Sequence, residues 1–451
     1  MTTAAKRWFT TFCLITRTTE FFTRRMGARA FLPALFVLRY ANMGGLDRDE
    51  FSQQLDAARS FTDSGWCDHW DAIAARHVES ALAGLRVVIG DPAQAEGEVR
   101  SGPPRAVPEF NERLGTLPLE LVDLLAQPAS TSAGEFARQV SEASLSPESG
   151  RVAEAAFATA KALLKAITYY QVSAFPGETP RRMKAYRESR RLFEWFMELV
   201  GPTVGVRLEK HMVYSNGEMV EIHAMVPPSA ARLPAVLISN GLEGTVQELA
   251  IPQLKYRSMA VAHFYMEMPG TYAYKSRMTA ESEAIYEDVL SHIQNDVRVD
   301  PANIGFVGVS FGGYWAVRLA ARSKKLRCSV ANGAPTHRSF TPAGAIGLPE
   351  IIVRAMVYTT GARHQADLGK RLHALTLKEM YGDIRIPLFV LNGDSDSLLS
   401  TQDSVDVAAV APLATLKLYP DDDHCAMKHY DEWRDDVQQW MLATLGDATQ
   451  A

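Results

Sequence analysis

Residues 304–322 read IGFVGVSFGGYWAVRLAAR. An apolar run at 304–309 leads into Gly308-Val309-Ser310-Phe311-Gly312-Gly313, and an Ala-rich helical pattern follows at once. This is G-x-S-x-G in the strand–turn–helix setting that an exposed nucleophilic serine requires. Ser310 must sit on a strained turn with its hydroxyl at the carboxyl edge of a sheet. Gly308 and Gly312 leave room for neighbouring backbone. A helix starting near Phe311 offers free N–H groups and its positive dipole end to a developing oxyanion. The stretch has neither the G-x-G-x-x-G of a dinucleotide turn nor the GK[ST] of a phosphate loop.

Outward from this stretch, the chain after residue 200 repeats strand, turn and helix. Residues 207–214 and 219–226 alternate like a hairpin around Asn216-Gly217, a strong turn signal. Short apolar runs at 235–239, 260–266, 304–309, 328–331, 388–391 and 415–418 are separated by helical patterns. Such alternation predicts a mostly parallel sheet flanked by helices. Residues 201–451 are thus expected to form an α/β catalytic domain. Before residue 200 the pattern is helical, at 50–89, 150–170 and 180–200. Residues 1–200 are expected to form an all-helical cap domain, with Trp66, Trp70 and Leu82 as core anchors. Five prolines between 90 and 118 and PASTSAG at 128–134 predict a loop-rich insertion over 90–150.

A nucleophilic serine needs a base, and the base an orienting acid; in this strand–turn–helix setting the chain order is Ser, Asp/Glu, His. PLFVLNGDSDSLLS (387–400) is a strand ending in a polar turn with Asp394 and Asp396. LKLYPDDDHCAMKH (416–429) is another, with His424 in its acidic turn. Both turns lie at strand carboxyl ends, where α/β sheets meet ligands. His424 reads as the general base and Asp396 as its orienting carboxylate, with Asp394 the alternative. Asp421, Asp422 and Asp423 lack calcium-loop spacing and read as a solvated turn. His429 reads as facing solvent at a helix start.

Phe311 N–H is the expected first oxyanion donor. The second should come from Leu242 or Gly241 in the loop Asn240-Gly241-Leu242-Glu243-Gly244. Glu243 and Glu248 read either as charges at a helix N-terminus or as pocket carboxylates that bind substrate. The loop Met268-Pro269-Gly270-Thr271-Tyr272 should line the site from the other side, with Tyr272 and Tyr274 as substrate contacts. Residues 333–386 are too long for a simple crossover and should add helices that roof the pocket.

Of 451 residues, 47% are hydrophobic and 22% charged, which suits a globular protein and excludes disordered, collagen-like and coiled-coil classes. A net charge of −5 without a basic domain argues against nucleic-acid binding. Cys13, Cys67, Cys328 and Cys425 are too sparse for a disulfide scaffold and read as reduced thiols in a cytoplasmic protein. Residues 1–40 carry seven Lys/Arg against one Glu, and no apolar stretch there reaches the ~20 residues of a bilayer span. They read as an amphipathic segment that packs on the body or on a partner subunit, without stable membrane insertion. No dinucleotide fingerprint, metal site or Schiff-base lysine is recognisable, so neither cofactor nor metal is expected.

With GVSFGG, NGDSDS and DDDHCAM in this order, the chain resembles an α/β-hydrolase. GWCDHWDAIAARHVESALAG (65–84), KALLKAITYYQVSAFPGETPRRMKAYRES (161–189) and ISNGLEGTVQEL (238–249) narrow the resemblance. It is to the fermentation-respiration-switch-like (FrsA-like), 2,6-dihydropseudooxynicotine hydrolase-like group. That group is related to fungal yellowish-green-pigment hydrolases, which shorten polyketides. The resemblance implies a Ser-His-Asp triad that cleaves an acyl bond, ester or ketone C–C, of a bulky natural-product or polyketide-like small molecule. It also implies a helical domain that covers the active site and mediates a homodimer. The insertion at 90–150 and the basic segment depart from the group's pattern. An acyltransferase or cyclase on the same triad and a non-catalytic hydrolase-like binding protein are the competing readings.

Overall fold

The computed structural model describes residues 3–90 and 107–446. Ten described α-helices precede the first strand: α1 (Thr3–Thr16), α2 (Thr19–Met26), α3 (Leu35–Gly44), α4 (Arg48–Ala57), α5 (Asp63–Ile89), α6 (Val107–Leu114), α7 (Leu119–Leu125), α8 (Ala133–Glu142), α9 (Pro147–Ala174) and α10 (Pro180–Val200). Eight strands follow: β1 (Glu209–Ser215), β2 (Glu218–Met225), β3 (Leu233–Ser239), β4 (Ala262–Met266), β5 (Val299–Val309), β6 (Cys328–Asn332), β7 (Leu388–Gly393) and β8 (Ala414–Tyr419). Between and after them run α11 (Val246–Gln253), α12 (Glu283–Gln294), α13 (Phe311–Arg322), α14 (Glu350–Thr360), α15 (Gln365–His373), α16 (Thr401–Val410) and α17 (Tyr430–Gly446).

All eight strands join one sheet in the order β1-β2-β4-β3-β5-β6-β7-β8. The β1–β2 and β2–β4 pairs are antiparallel and the other five parallel. Every residue of β4, β6 and β7 is buried, as continuous apolar runs between two helical layers require. The expected α/β-hydrolase sheet and its helical N-terminal region are both present.

Side-chain caps start the long helices of that region. Thr62 accepts from Gly65 N–H before α5, Ser146 from Ser149 N–H before α9, and Thr179 from Arg182 N–H before α10. Pro147 and Pro180 occupy first-turn positions, where a missing N–H costs nothing. α9 packs along α5 and α10. Trp66 and Trp70 are fully buried, and Trp66 Nε1 donates to Val172 O at 2.7 Å. Leu82 is only half-buried against the core.

The loop-rich reading of 90–150 needs correction. Residues 91–106 lie outside the described residues, but 107–142 hold α6, α7 and α8. Phe110, Leu114, Leu121, Leu125, Phe136 and Val140 bury their side chains in the helical core. Each helix spans ten residues or fewer, too short for its periodicity to stand out among the prolines and glycines.

After β6 the chain turns through 333–341 beneath the roofing helices α14 and α15. Asp403 on α16 holds that turn. Its buried carboxylate accepts four backbone N–H groups, from Thr336 (3.2 Å), His337 (3.0 Å), Arg338 (2.7 Å) and Ser339 (3.0 Å). Asp403→Ala strands these donors and should destabilise the protein by about 3–5 kcal/mol in urea unfolding, with Asp403→Asn intermediate. A loss below about 1 kcal/mol for the alanine variant would remove Asp403 from this role.

Candidate active site

Strand β5 delivers the chain to Ser310 with no spare volume. Ser310 takes φ 57° and ψ −122°, strained values for a residue with a side chain. A Cβ on Gly308 would stand 2.0 Å from Gly312 O, and one on Gly312 2.3 Å from Ser239 O. Glycine at both flanks is therefore a steric demand of the turn. Ser310 N–H donates to Asn332 O of β6 at 2.7 Å, fixing the turn to the next strand.

The loops after β7 and β8 meet Ser310 from the other side. His424 Nε2 lies 2.8 Å from Ser310 Oγ, and His424 Nδ1 lies 2.8 Å from Asp396 Oδ2. Asp396 Oδ1 accepts the N–H groups of Leu398 (2.9 Å) and Leu399 (2.7 Å), and Asn392 Nδ2 donates to Oδ2 at 3.0 Å. Burial alone would raise the Asp396 pKa, but His424 and these donors hold it below the usual carboxylate range. Burial opposes the imidazolium too, yet the neighbouring Cys425 sulfur and Asp396 hold the His424 pKa above its ordinary value. Asp394 is exposed and bonds Ser395 Oγ at 2.8 Å, away from His424.

The acidic turn is solvated only at Asp421, which is exposed, while Asp422 and Asp423 are built in. Asp422 is buried and accepts from Asp423, Lys428 and His429 N–H and pairs with His429 Nδ1 at 2.9 Å. His429 is thus half-buried and partnered, not solvent-facing. Asp423 accepts from Ser397 N–H (2.6 Å) and Ser397 Oγ (2.8 Å), tying the histidine loop to the Asp396 loop.

Of the expected oxyanion donors, Gly241 N–H is already taken by Asn240 Oδ1 at 3.0 Å. Leu242 N–H and Phe311 N–H have no acceptor among the described residues, and Phe311, first in α13, has no intrahelical one. A Cβ on Gly241 would stand 2.7 Å from both Phe311 N and Ser310 Cβ. This contact brings the two loops together beside the serine. Asn240 is also buried against the cavity with its Nδ2 unpartnered.

A cavity of about 700 Å³ opens over Ser310. Its wall is mainly apolar: Leu14, Phe36 and Met43 come from the N-terminal helices, and Ile352, Met356, Leu368 and Leu372 from α14 and α15. The expectation that 333–386 roofs the pocket describes this arrangement.

Glu243, Glu248, Tyr272 and Tyr274 do not line the cavity, nor does the 268–272 loop, so their reading as substrate contacts is corrected. Glu248 closes a capping box on Thr245 N–H (3.0 Å) and binds the Arg39 guanidinium with both oxygens, at 2.7 and 2.8 Å. The Glu243 carboxylate accepts Gly177 N–H at 2.7 Å. The Glu243 carbonyl accepts from Arg39 (3.0 Å) and from Tyr272 Oη (3.1 Å). Tyr272 stacks on Tyr186 of α10, with ring centroids 4.4 Å apart. Tyr274 Oη donates to Glu267 O at 3.0 Å. Glu243, Glu248 and Tyr272 lash the 240–244 loop to the helical domain.

Residues 147–441 match the family model described as Esterase FrsA-like. The 2,6-dihydropseudooxynicotine hydrolase of Paenarthrobacter nicotinovorans is 23% identical over 291 residues, 63% of this chain and 76% of that one. Esterase FrsA of Photobacterium profundum is 25% identical over 235 residues, 49% of this chain and 53% of that one. The crystal structure of 2,6-dihydroxy-pseudo-oxynicotine hydrolase has a TM-score of 0.64 at 17% identity, over 90% of this chain and 95% of that one. AbyA5 follows at 0.57 and 23% identity, over 63% and 80%. Both structures share the fold.

Burial raises the Glu243 carboxyl to about 7, against the opposing Gly177 N–H, and its Oε1 has no partner. A carboxyl held above its unfolded value stabilises the fold while protonated. That contribution is complete below the unfolded value of 4.5 and is lost as pH rises through about 7. Wild type should therefore lose thermal stability across this window, while Glu243→Gln should show a flatter profile. Parallel profiles in a thermal-shift series would refute the assignment.

Proposed function

Because the chain belongs to the FrsA-like esterase family, we propose that it is a serine hydrolase cleaving an acyl bond, foremost an ester, of a bulky apolar small molecule. One observation carries this reading: the continuous 2.8 Å relay Ser310–His424–Asp396 on the floor of an apolar cavity, flanked by two unpartnered N–H groups.

In this reading Ser310 Oγ attacks the substrate carbonyl carbon as His424 Nε2 takes the hydroxyl proton. Asp396 holds the Nδ1–H tautomer and balances the imidazolium charge. The carbonyl oxygen, now an oxyanion, receives the N–H groups of Leu242 and Phe311, each worth about 3 kcal/mol. Collapse expels the leaving group, which takes the proton from His424, and leaves an acyl-Ser310. Water then attacks with His424 again as base, releasing the acid and restoring the hydroxyl. Arg39 lines the cavity but is spent on Glu248, which supports an uncharged acyl part beside the serine. A natural-product or polyketide-like acyl group has the bulk and apolarity that this wall suits.

The test is intact-mass spectrometry after fluorophosphonate treatment. Wild type should gain one adduct and Ser310→Ala none; adducts on both, or none on folded wild type, would overturn the proposal. Asp396→Asn should lower kcat by about 10³–10⁴ and Asp394→Asn by less than about twofold on an ester substrate. Equal losses would show that Asp396 does not orient His424.

A further inference from the structure

The outer face of the first two helices has no role in the chemistry above. Sixteen large apolar side chains are exposed among the described residues, and five of them lie within the first 26. Trp8 (65% exposed), Phe12 (53%) and Ile15 (70%) recur at helical spacing on one side of α1, and Phe21 and Met26 are exposed on the adjoining α2. The inner side is packed: Thr10 and Cys13 are buried, and Leu14 lines the catalytic cavity.

The charge around this face is one-sided. Of the seven Lys/Arg in residues 1–46, Arg39 is held by Glu248 and Arg29 by Asp56, which leaves Arg17, Arg24 and Arg25 with the single acid Glu20 around this face. The Glu20 oxygens are occupied by Ser60 Oγ (2.7 Å), Phe61 N–H (2.9 Å) and, more distantly, Arg24 Nε (3.4 Å). Arg17, Arg24 and Arg25 are exposed at the rim, and the Arg25 guanidinium lies 3.9 Å over the Phe21 ring. Aromatic and aliphatic side chains on one face with arginines at its edge suit the boundary between lipid headgroups and acyl chains. A second copy fits poorly. An isologous contact through this face would gather Arg17, Arg24 and Arg25 of both copies in one interface, with Glu20, already bonded, as the only acid of the segment to answer them.

The face also adjoins the cavity entrance. Arg7 Nη2 donates to Ile346 O (2.8 Å), and Gly347 N–H donates to Thr11 Oγ1 (2.9 Å), so α1 grips the 346–347 turn. Ile346 is itself exposed, and its neighbour Ala345 lines the cavity together with Pro342, Lys370 and His373, all exposed.

We propose that α1 and α2 form an interfacial docking surface for an anionic lipid bilayer. Trp8, Phe12, Ile15, Phe21 and Met26 enter the headgroup boundary, while Arg17, Arg24 and Arg25 meet lipid phosphates. Docking sets the apolar cavity entrance against the surface in which an apolar substrate would be dissolved. Contact is peripheral, since no helix among the described residues is long and apolar enough to cross a membrane.

The test is co-sedimentation of the purified full chain with phosphatidylcholine vesicles and with mixed phosphatidylcholine–phosphatidylglycerol vesicles. The wild type should bind the mixed vesicles, more weakly as salt rises, and bind phosphatidylcholine alone less. Trp8 is the only exposed tryptophan of seven, so its emission should shift to the blue on binding, and Trp8→Phe should abolish that shift. A Trp8→Ser/Phe12→Ser/Ile15→Ser variant should lose about tenfold or more in vesicle affinity with an unchanged melting temperature. An Arg17→Glu/Arg24→Glu/Arg25→Glu variant, which keeps the apolar face, should lose preference for anionic lipid. Three results would overturn the proposal: no wild-type binding to mixed vesicles, equal binding by wild type and both variants, or a dimer in light scattering that the serine variant converts to monomer. The last would make a second copy the occupant. None of these readouts uses Ser310, so failure here leaves the hydrolase reading untouched.

Discussion

The strained turn at Ser310 is the constraint from which the rest of the site follows. A residue at φ 57° and ψ −122° sits there at a cost of about 1–3 kcal/mol, so neighbouring structure must hold it. The holding groups are backbone: Asn332 O on the Ser310 N–H, and the near-contact of Gly308 with Gly312. Because β6 supplies that carbonyl, the parallel pairing of β5 with β6 is part of what supports Ser310. The same strand end then reaches the histidine loop, where Asn332 Nδ2 donates to Cys425 O at 3.3 Å.

Asparagines at strand ends carry this support outward. Asn392 in β7 donates to Asp396 and accepts from Gly393 and Cys425 N–H, coupling the acid loop to the histidine loop. Asn240 after β3 takes the Gly241 N–H, whereas the Leu242 N–H has no acceptor among the described residues. A short amide can donate and accept at once, so one buried side chain can satisfy two loops. The helical domain does the remaining positioning: Arg39 and Gly177 grip the loop that carries Leu242. A cap displaced from the sheet would therefore disturb the 240–244 loop as well as the cavity wall.

Local features were legible in the sequence and long-range ones were not. Each of the eight strands announces itself as an apolar run or an alternating hairpin, because burial between helices or on one face dictates composition. Ser310, Asp396 and His424, which the fold brings together, follow from strand-end turns in a known chain order. The capping box Thr245-x-x-Glu248 was also readable and would have placed Glu248 at a helix start. By contrast, Arg39 meets Glu248 across 209 residues and Gly177 meets Glu243 across 66. Nothing local marks such pairs. The triple Asp421–Asp423 looked solvated because charge suggests exposure, whereas Asp422 is buried by accepting several N–H groups. Three short helices hid among prolines that in fact precede or begin helices.

The charge distribution in the cavity limits what the enzyme can discriminate. Arg39 is neutralised by Glu248, Ser310 and His424 mark the serine end, and Lys370 and His373 are exposed. An apolar wall separates acyl groups that differ by one methylene by only about 1–3 kcal/mol. It rejects polar acyl groups more firmly, because each buried polar atom without a partner costs about 1–3 kcal/mol or more. In the proposed reaction, selectivity would therefore rest on the polarity and bulk of the acyl part more than on its exact length. The roof helices α14 and α15 contribute Ile352, Val353, Met356, Leu368 and Leu372 to that wall, so changes in these apolar side chains would alter substrate range without touching the relay beneath.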